Sequence, residues 1–504
     1  MELQSADTQN NGIGIDDITI IDEQKLKKAV VAASLGNAME WFDFGIYGFV
    51  AITLGHVFFP GASGGLQVIA TLATFAVAFL ARPLGGLFFG RLGDKYGRHK
   101  VLSVTIIIMA VSTFCIGLIP SYQSIGFLAP LLLIIARIAQ GFSTGGEYCG
   151  ALIFVAEYSP DRKRGFMGSW LDFGSIAGFL CGAGFVSLLS VMLTSEQMVD
   201  WGWRIPFLFA GPLGLLGFYL RHQLDETPTF QQHLDNQSNN EDNSDDFEPA
   251  KVPLKELFTT YWRSILKCLG LVIVMNVTYY TLLTYMPNYL SYNLNYSQDH
   301  GVLLIIVIMI SMLFMQPIIG ILSDKFGRRP IIITGCIGLF LLAVPCFYLI
   351  TTGSVVNIFI GLFILAIFLN LFTGSMGSTL PALFPTNVRY SALAVSFNIA
   401  VSFFCGTTPL ILAWLTEASH NLLMPGFYLM IAAIIGMVAI LTTRESANRP
   451  LKGSLPAASN EEEAQELLEE HYEYIEQRVG AIEEKIEELQ EKREELVSQH
   501  PYLS

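Results

Sequence analysis

Gly90-Arg91-Leu92-Gly93-Asp94-Lys95-Tyr96-Gly97-Arg98-His99-Lys100 returns later in the chain as Gly320-Ile321-Leu322-Ser323-Asp324-Lys325-Phe326-Gly327-Arg328-Arg329-Pro330. The two copies share glycine, leucine, aspartate, lysine, an aromatic, glycine and arginine at matching places. Such a segment has a physical logic. Its glycines permit a tight turn, its aspartate can cap a helix start, and its basic residues hold the segment out of hydrocarbon. Each copy reads as a loop between apolar runs, after the second span of its half. A weaker echo, Pro160 and Arg164 with Pro385 and Arg389, follows the fourth span of each half. Internal repetition at matching positions predicts a duplicated architecture.

Working outward, the apolar runs are about 20 residues long, enough for a helix to cross ~30 Å of hydrocarbon. We read twelve spans, at 30–57, 66–90, 101–119, 128–156, 166–192, 204–220, 264–289, 301–322, 331–350, 355–383, 391–415 and 423–443. The expected fold is therefore an all-α membrane protein of two six-helix halves. Its segments are an N-terminal stretch 1–28, halves at 29–220 and 264–444, a linker 221–263 and a tail 445–504 that begins with a short linker, Glu445 to Asn460. Composition agrees, since 52% of the residues are hydrophobic and only 14% charged, against about 25% charged in ordinary soluble domains. The net charge of -14 is concentrated in the linker and the tail, and no basic patch marks a nucleic-acid partner.

Lys and Arg near span ends stay on the cytoplasmic side. They collect at Arg91, Lys95, Arg98 and Lys100, at Arg162, Lys163 and Arg164, at Lys325, Arg328 and Arg329, and at Arg389. The alternate loops lack them, so both termini are expected in the cytoplasm. No basic n-region precedes the first span, which is expected to be retained. The seven cysteines show no metal or redox spacing and read as small core hydrophobes. The sequence has no phosphate loop, dinucleotide turn or metal-ligand cluster, so neither an enzyme nor a cofactor is expected.

Further motifs narrow the reading. Arg137-Ile138-Ala139-Gln140-Gly141 lies in the fourth span, with Asn37 to Gly45, Arg82-Pro83-Leu84-Gly85-Gly86, Phe154 to Pro160 and Trp201 to Phe207 around it. Together with the repeated loop, these segments resemble the major facilitator superfamily and, within it, the metabolite:proton symporter family. With the tail included, the chain is similar to the members that import osmoprotectants. The resemblance implies a proton-coupled symporter for zwitterionic compatible solutes such as proline and glycine betaine, working by alternating access in the bacterial inner membrane under hyperosmotic stress. It also implies that Asp94, Arg98, Asp324 and Arg328 act in gating, and it links Arg137 to proton coupling or substrate charge. A symporter for an organic acid and a transporter-fold sensor remain as rivals.

Charged residues at membrane depth are costly and mark ion or substrate paths. They fall mainly in the first half, and Glu40, Asp43 and Glu147 are the candidate proton carriers, with structural ion pairs as the competing reading; Asp172, closer to the cytoplasmic end, reads as a member of a structural pair. Glu40, Asp43 and Tyr47 share one helix face by their spacing of three and four. A zwitterion needs a donor for its carboxylate and aromatic faces for its ammonium. Arg82, Asn37, Trp41, Trp170, Tyr279 and Tyr280 are the candidates.

The tail carries a heptad pattern, with Leu468, Ile475, Ile482, Leu489 and Leu496 at d and Tyr472, Val479, Ile486, Arg493 and His500 at a. More than three such heptads argue for a coiled coil, and hence for a homodimer. Basic g positions and acidic or amide e positions suit parallel pairing, whereas Arg493 would then stack on its own copy, so orientation stays open.

Overall fold

The computed structural model describes residues 15, 18–61, 64–222, 254–290, 294 and 298–499. Most of the expected segment 1–28 before Ile18 and most of the linker 221–263 lie outside the described residues. The fold is all-helical apart from one short parallel pairing of β1 (Thr19–Ile20) with β2 (Ala457–Ala458). The long helices are α1 (Glu23–Phe58), α2 (Gly64–Tyr96), α3 (Arg98–Leu118), α4 (Leu128–Tyr158), α5 (Arg164–Met192) and α6 (Arg204–His222). They continue as α7 (Trp262–Tyr285), α8 (Gln298–Phe326), α9 (Arg328–Thr351), α10 (Val355–Thr379), α11 (Arg389–Ser419), α12 (Met424–Leu441) and α13 (Glu461–Gln499). Among the described residues, nine helices are long and apolar enough to cross a bilayer.

Helix ends follow local chemistry. Asp22 opens α1, its Oδ1 accepting from the backbone N–H groups of Gln24 at 2.7 Å and Lys25 at 3.2 Å, which satisfies two of the donors a helix start leaves over. The repeated motif is not a loop, as the sequence suggested, but the last turns of α2 and α8. Hydropathy marks the stretch that suits lipid, whereas the helix itself runs on through polar residues to Tyr96 and Phe326. The chain then turns at a single residue, Gly97 at φ 101° and Gly327 at φ 94°, a conformation open to glycine because it lacks a Cβ.

Two helices change pitch where they matter. The end of α7, Tyr280–Tyr285, and Val401–Cys405 within α11 are wound as π-helix, a form that often marks functional positions. Pro83 interrupts α2 and leaves the Phe79 carbonyl without its helical donor. Ser402 Oγ of α11 donates to that carbonyl at 2.6 Å, so a proline break becomes a helix-to-helix contact.

Packing pairs α1 with α5, α2 with α4 and α3 with α6, and pairs α9 with α10 and α12. Two contacts between helices distant in the chain are reciprocal: α2 lies against α11, and α8 lies against α5. The closest approach is between α2 and α4, where a Cβ on Gly141 would sit 1.9 Å from the Ala78 carbonyl oxygen and one on Gly85 would sit 1.8 Å from that of Phe142. Gly141→Val must push these backbones apart and is expected to cost at least the ~1–3 kcal/mol typical of overpacking. Gly48→Ala meets open space and should be close to neutral. Thermal unfolding of the two purified variants in detergent checks the contrast; equal midpoints would contradict it.

Candidate functional site

A cavity in the middle of the bundle is lined by Glu40 and Trp41 of α1, Arg82 of α2, Asp172 of α5 and Tyr279 and Tyr280 of α7. The hydrogen bond and ion pair between Arg82 Nη2 and Glu40 Oε1 hold α2 and α1 together at its wall. Aromatic rings surround this pair. The Arg82 guanidinium carbon lies 5.1 Å from the ring centres of both Phe44 and Phe79. Trp41 and Tyr279 approach to 4.8 Å, and Tyr279 and Tyr280 to 5.8 Å. Five buried polar atoms of these residues have no hydrogen-bond partner among the described residues: Glu40 Oε2, Trp41 Nε1, Arg82 Nε, Asp172 Oδ2 and Tyr279 OH. Since buried polar groups are normally satisfied, these atoms mark a polar cavity, which at about 20 Å³ holds no more than a water in this conformation and must widen to take a larger ligand.

A second buried pair lies beside the cavity. Arg137 Nη1 meets Asp43 Oδ2 at 3.2 Å and donates to Gln140 Oε1 at 2.9 Å, while its guanidinium carbon sits 3.4 Å from the centre of the Tyr47 ring. Gln140 Nε2 in turn donates to Thr113 Oγ1 at 2.6 Å. Glu147, also buried, accepts from Thr105 Oγ1 of α3.

The structure thus brings Glu40, Trp41, Arg82, Tyr279 and Tyr280 to one cavity and sets Asp43 and Arg137 next to it. Asn37 and Trp170, expected with the solute, lie elsewhere. Asn37 Nδ2 donates to the Leu171 carbonyl and Ser175 Oγ, tying α1 to α5. Trp170 lines an outer apolar groove with Val31, Leu35 and Phe173. About half a turn of helix separates cavity-facing Asp172 from groove-facing Trp170 on α5, and composition does not distinguish such positions. Sequence reasoning passed over Tyr148 and Asn276 as site residues and placed Asp172 nearer the helix end; all three line the cavity.

At the end of the bundle carrying the repeated motif, the two aspartates do the same work on opposite helices. Asp94 at the end of α2 accepts from the backbone N–H groups of Tyr390 at 3.1 Å and Ser391 at 2.8 Å, and from Ser391 Oγ at 2.6 Å. Asp324 at the end of α8 accepts from the N–H groups of Gly165 at 2.7 Å and Phe166 at 2.8 Å. Each carboxylate therefore caps the start of a helix distant in sequence, α11 and α5, where free N–H groups and the helix dipole favour an anion. Arg98 reaches the Thr386 carbonyl at 2.9 Å and shares the buried Glu157 with Arg389.

The segment between α12 and α13, expected to be a plain linker, is fastened across this end. Glu445 accepts from the N–H groups of Arg328 at 3.1 Å and Arg329 at 2.9 Å. Burial pushes its carboxyl up, but backbone donors at Ala447, Arg329, Arg328 and Ser446 outweigh this and hold its pKa below the ordinary 4.5. A lowered pKa makes this contact present above that value and lost only as pH falls through the folded one. The carbonyls of Ser446, Arg449 and Lys452 accept from Arg328 at 2.9 Å, Arg164 at 3.0 Å and Arg389 at 2.7 Å. Beyond it, Ile18 packs with Ala458 and Ala464 and against Leu467 and Leu468, and Arg162 pairs with Glu466 and, at 2.7 Å, with Glu470. Within α13, Tyr472, Val479, Ile482, Ile486 and Leu489 are exposed. The side chains of Ile475, Arg493 and Leu496, and residue His500, lie outside the described residues.

Asp94→Asn and Asp324→Asn remove the anion from one helix start each. Each should let this end of the bundle open more readily, lowering turnover while leaving solute affinity measured from the opposite side nearly unchanged. Transport kinetics in vesicles of known orientation check this; a large affinity loss at unchanged turnover would contradict it.

Comparison with known proteins places the chain. The sugar (and other) transporter family model matches residues 28–454, and the osmosensory transporter coiled coil model matches residues 459–504. The proline/betaine transporter of Escherichia coli (strain K12) is 63% identical over 461 residues, 91% of each chain. The glycine betaine/proline/ectoine/pipecolic acid transporter OusA of Dickeya dadantii (strain 3937) is 60% identical over 492 residues, 98% of each chain. The solved structure of the proton:xylose symporter XylE bound to 6-bromo-6-deoxy-D-glucose covers 88% of this chain and 99% of its own, with a TM-score of 0.70 at 19% identity, a likeness of fold. The chain is a multi-pass membrane protein with the major facilitator fold, and it belongs to the sugar (and other) transporter family.

Proposed function

We propose that the protein is a proton-coupled symporter that imports zwitterionic compatible solutes, proline and glycine betaine among them, into the bacterial cytoplasm in response to hyperosmotic stress. The observation that carries this reading is the Arg82–Glu40 pair set in an aromatic cavity. A solute carboxylate suits Arg82, and its ammonium suits the faces of Trp41, Tyr279 and Tyr280. To reach Arg82 the solute must take the place of Glu40. A carboxylate released at this depth is costly as an anion and favours the protonated form. Solute binding and proton uptake are then one event, because each makes the other less costly. Asp43 and Arg137 form the neighbouring station through which a proton passes, and Glu147 lies behind them on α4. The substrates carried in the names of the E. coli and Dickeya relatives support the same solute class.

In this reading α1 to α6 and α7 to α12 are twelve spans in two six-helix halves, which rock about the cavity in turn. The motif end faces the cytoplasm, as do both termini, because Lys and Arg concentrate there. Asp94, Arg98, Asp324 and Arg328 hold that side shut in the conformation described. The exposed apolar stripe of α13 pairs with the same stripe of a second copy, which makes a homodimer.

Uptake of proline and betaine into proteoliposomes under an imposed pH gradient tests the function. Glu40→Gln and Asp43→Asn should abolish accumulation against a gradient while retaining exchange between two solute-loaded compartments. Normal accumulation by both variants would overturn the coupling. For the tail, a cysteine introduced by Leu489→Cys should crosslink to its copy in whole membranes, and deletion after residue 460 should shift the osmolality at which uptake begins while leaving transport itself intact. An unchanged activation profile would exclude the tail as a regulator.

A further inference from the structure

Among the described residues most buried acids have a basic partner or a helix start, and Glu147, away from the cavity lining, accepts from Thr105 Oγ1. Glu40 has Arg82, Asp43 has Arg137, Glu157 has Arg98 and Arg389, and Asp161 has Arg164. Asp94 and Asp324 sit on helix starts. Asp172 is different. It lies on the cavity wall, 6% exposed, and no Lys or Arg pairs with it among the described residues. Its Oδ1 accepts from Tyr148 OH at 3.2 Å, and its Oδ2 has no partner. Tyr148 is itself held in place by stacking on Phe397, ring centres 4.8 Å apart.

Around the cavity, Arg82 and Glu40 pair with each other, and Asp172 is the carboxyl left without a counter-charge. We propose that Asp172 is the receptor for the cationic end of the solute, oriented by Tyr148, and that it makes the site select a zwitterion over a simple organic anion. This rests on the reading of the cavity as the solute site. Arg82 by itself would accept any carboxylate. A bound ammonium gives Asp172 the counter-charge that lets it stay ionised at this depth, which a ligand bringing only negative charge cannot do. A secondary ammonium can donate an N–H to Oδ2. A quaternary ammonium cannot donate, and is held by charge and by the faces of Trp41 and Tyr279, whose close approach provides a cation-accepting wall. One site thereby takes both kinds of zwitterion.

The test is a cycle between ligand and protein, run on the purified full-length transporter by equilibrium binding. The ligands are proline, glycine betaine and tetrahydrofuran-2-carboxylate, which is proline with a ring oxygen in place of the ammonium. Asp172→Asn should weaken proline about tenfold or more, the range for losing a charged hydrogen-bond partner, and should weaken betaine through loss of the counter-charge. The oxygen analogue, poor for the wild type, should bind Asp172→Asn equally well or better, so that the preference for the ammonium collapses. Asp172→Glu should restore part of that preference. Tyr148→Phe, which keeps the ring, should reduce it less and in the same direction. Trp41→Ala, measured in parallel, separates the two levels of the argument. If Trp41→Ala weakens every ligand while Asp172→Asn keeps the full preference for proline over its analogue, the role of Asp172 is wrong and the cavity stands as the solute site. If neither variant changes any affinity, the cavity is not the solute site and both readings fall.

Discussion

Glu40 and Arg82 hold each other at a depth where neither could remain ionised without a partner. Moving a single charge out of water costs several kcal/mol even after the protein relaxes, and the bilayer offers no water to soften the loss. The pair therefore fixes how α1 and α2 meet, and it makes any incoming anion a competitor for Arg82. Much of the surrounding structure serves this contact. Pro83 removes one helical donor within α2 beside the arginine, Ser402 satisfies the carbonyl left over, and Phe44 and Phe79 place their faces against the guanidinium. Arg137 and Asp43 repeat the solution one step away, with Tyr47 and Gln140 as further neighbours.

The same constraint operates at the motif end in a different form. There the groups to be satisfied are backbone N–H donors at the starts of α11 and α5, and the acceptors come from Asp94 and Asp324 on α2 and α8. When this end opens, both helix starts must exchange a carboxylate for water. Such an exchange is small in net free energy, of the order of the ~0.5–2 kcal/mol of a helix cap, which suits the reversible gating proposed for this end. The segment after α12 adds to the closed arrangement, because its carbonyls serve Arg328, Arg164 and Arg389. Through β2 and the Arg162 contacts, the tail helix is joined to the same surface. Glu445 keeps its charge at neutral pH, so the fastening is indifferent to ordinary changes of pH.

How far the sequence revealed this depended on whether a residue's partner was near or far along the chain. The repeated motif was legible because its two copies match residue by residue, and its glycines did mark the turns at Gly97 and Gly327. Its helical continuation to Tyr96 and Phe326 was not, because hydropathy falls before the helix ends. The capping role of Asp94 could be stated in general terms, but its target at Tyr390 and Ser391 is set by tertiary packing alone. Glu40, Arg82 and Trp41 were singled out by charge and aromatic character, and they meet at one cavity. Trp170 carried the same signal and faces an outer groove, since two residues along a helix, about half a turn, point to opposite faces. Asp172 was read as a structural acid from its distance to the helix start, whereas its importance lies in lacking a basic partner, which no single-sequence pattern can display. The segment at 445–460 read as a linker because backbone carbonyls, its main contribution, are the same in every sequence.

The central claim is that a bound zwitterion replaces Glu40 at Arg82 and that Glu40 then carries the proton. Infrared difference spectroscopy on the reconstituted transporter, recorded as glycine betaine is added at constant pH, observes this directly. The account predicts a new carbonyl band of a protonated carboxylic acid in the wild type, and its loss in Glu40→Gln. A wild-type spectrum without such a band, or the same band in Glu40→Gln, would contradict it.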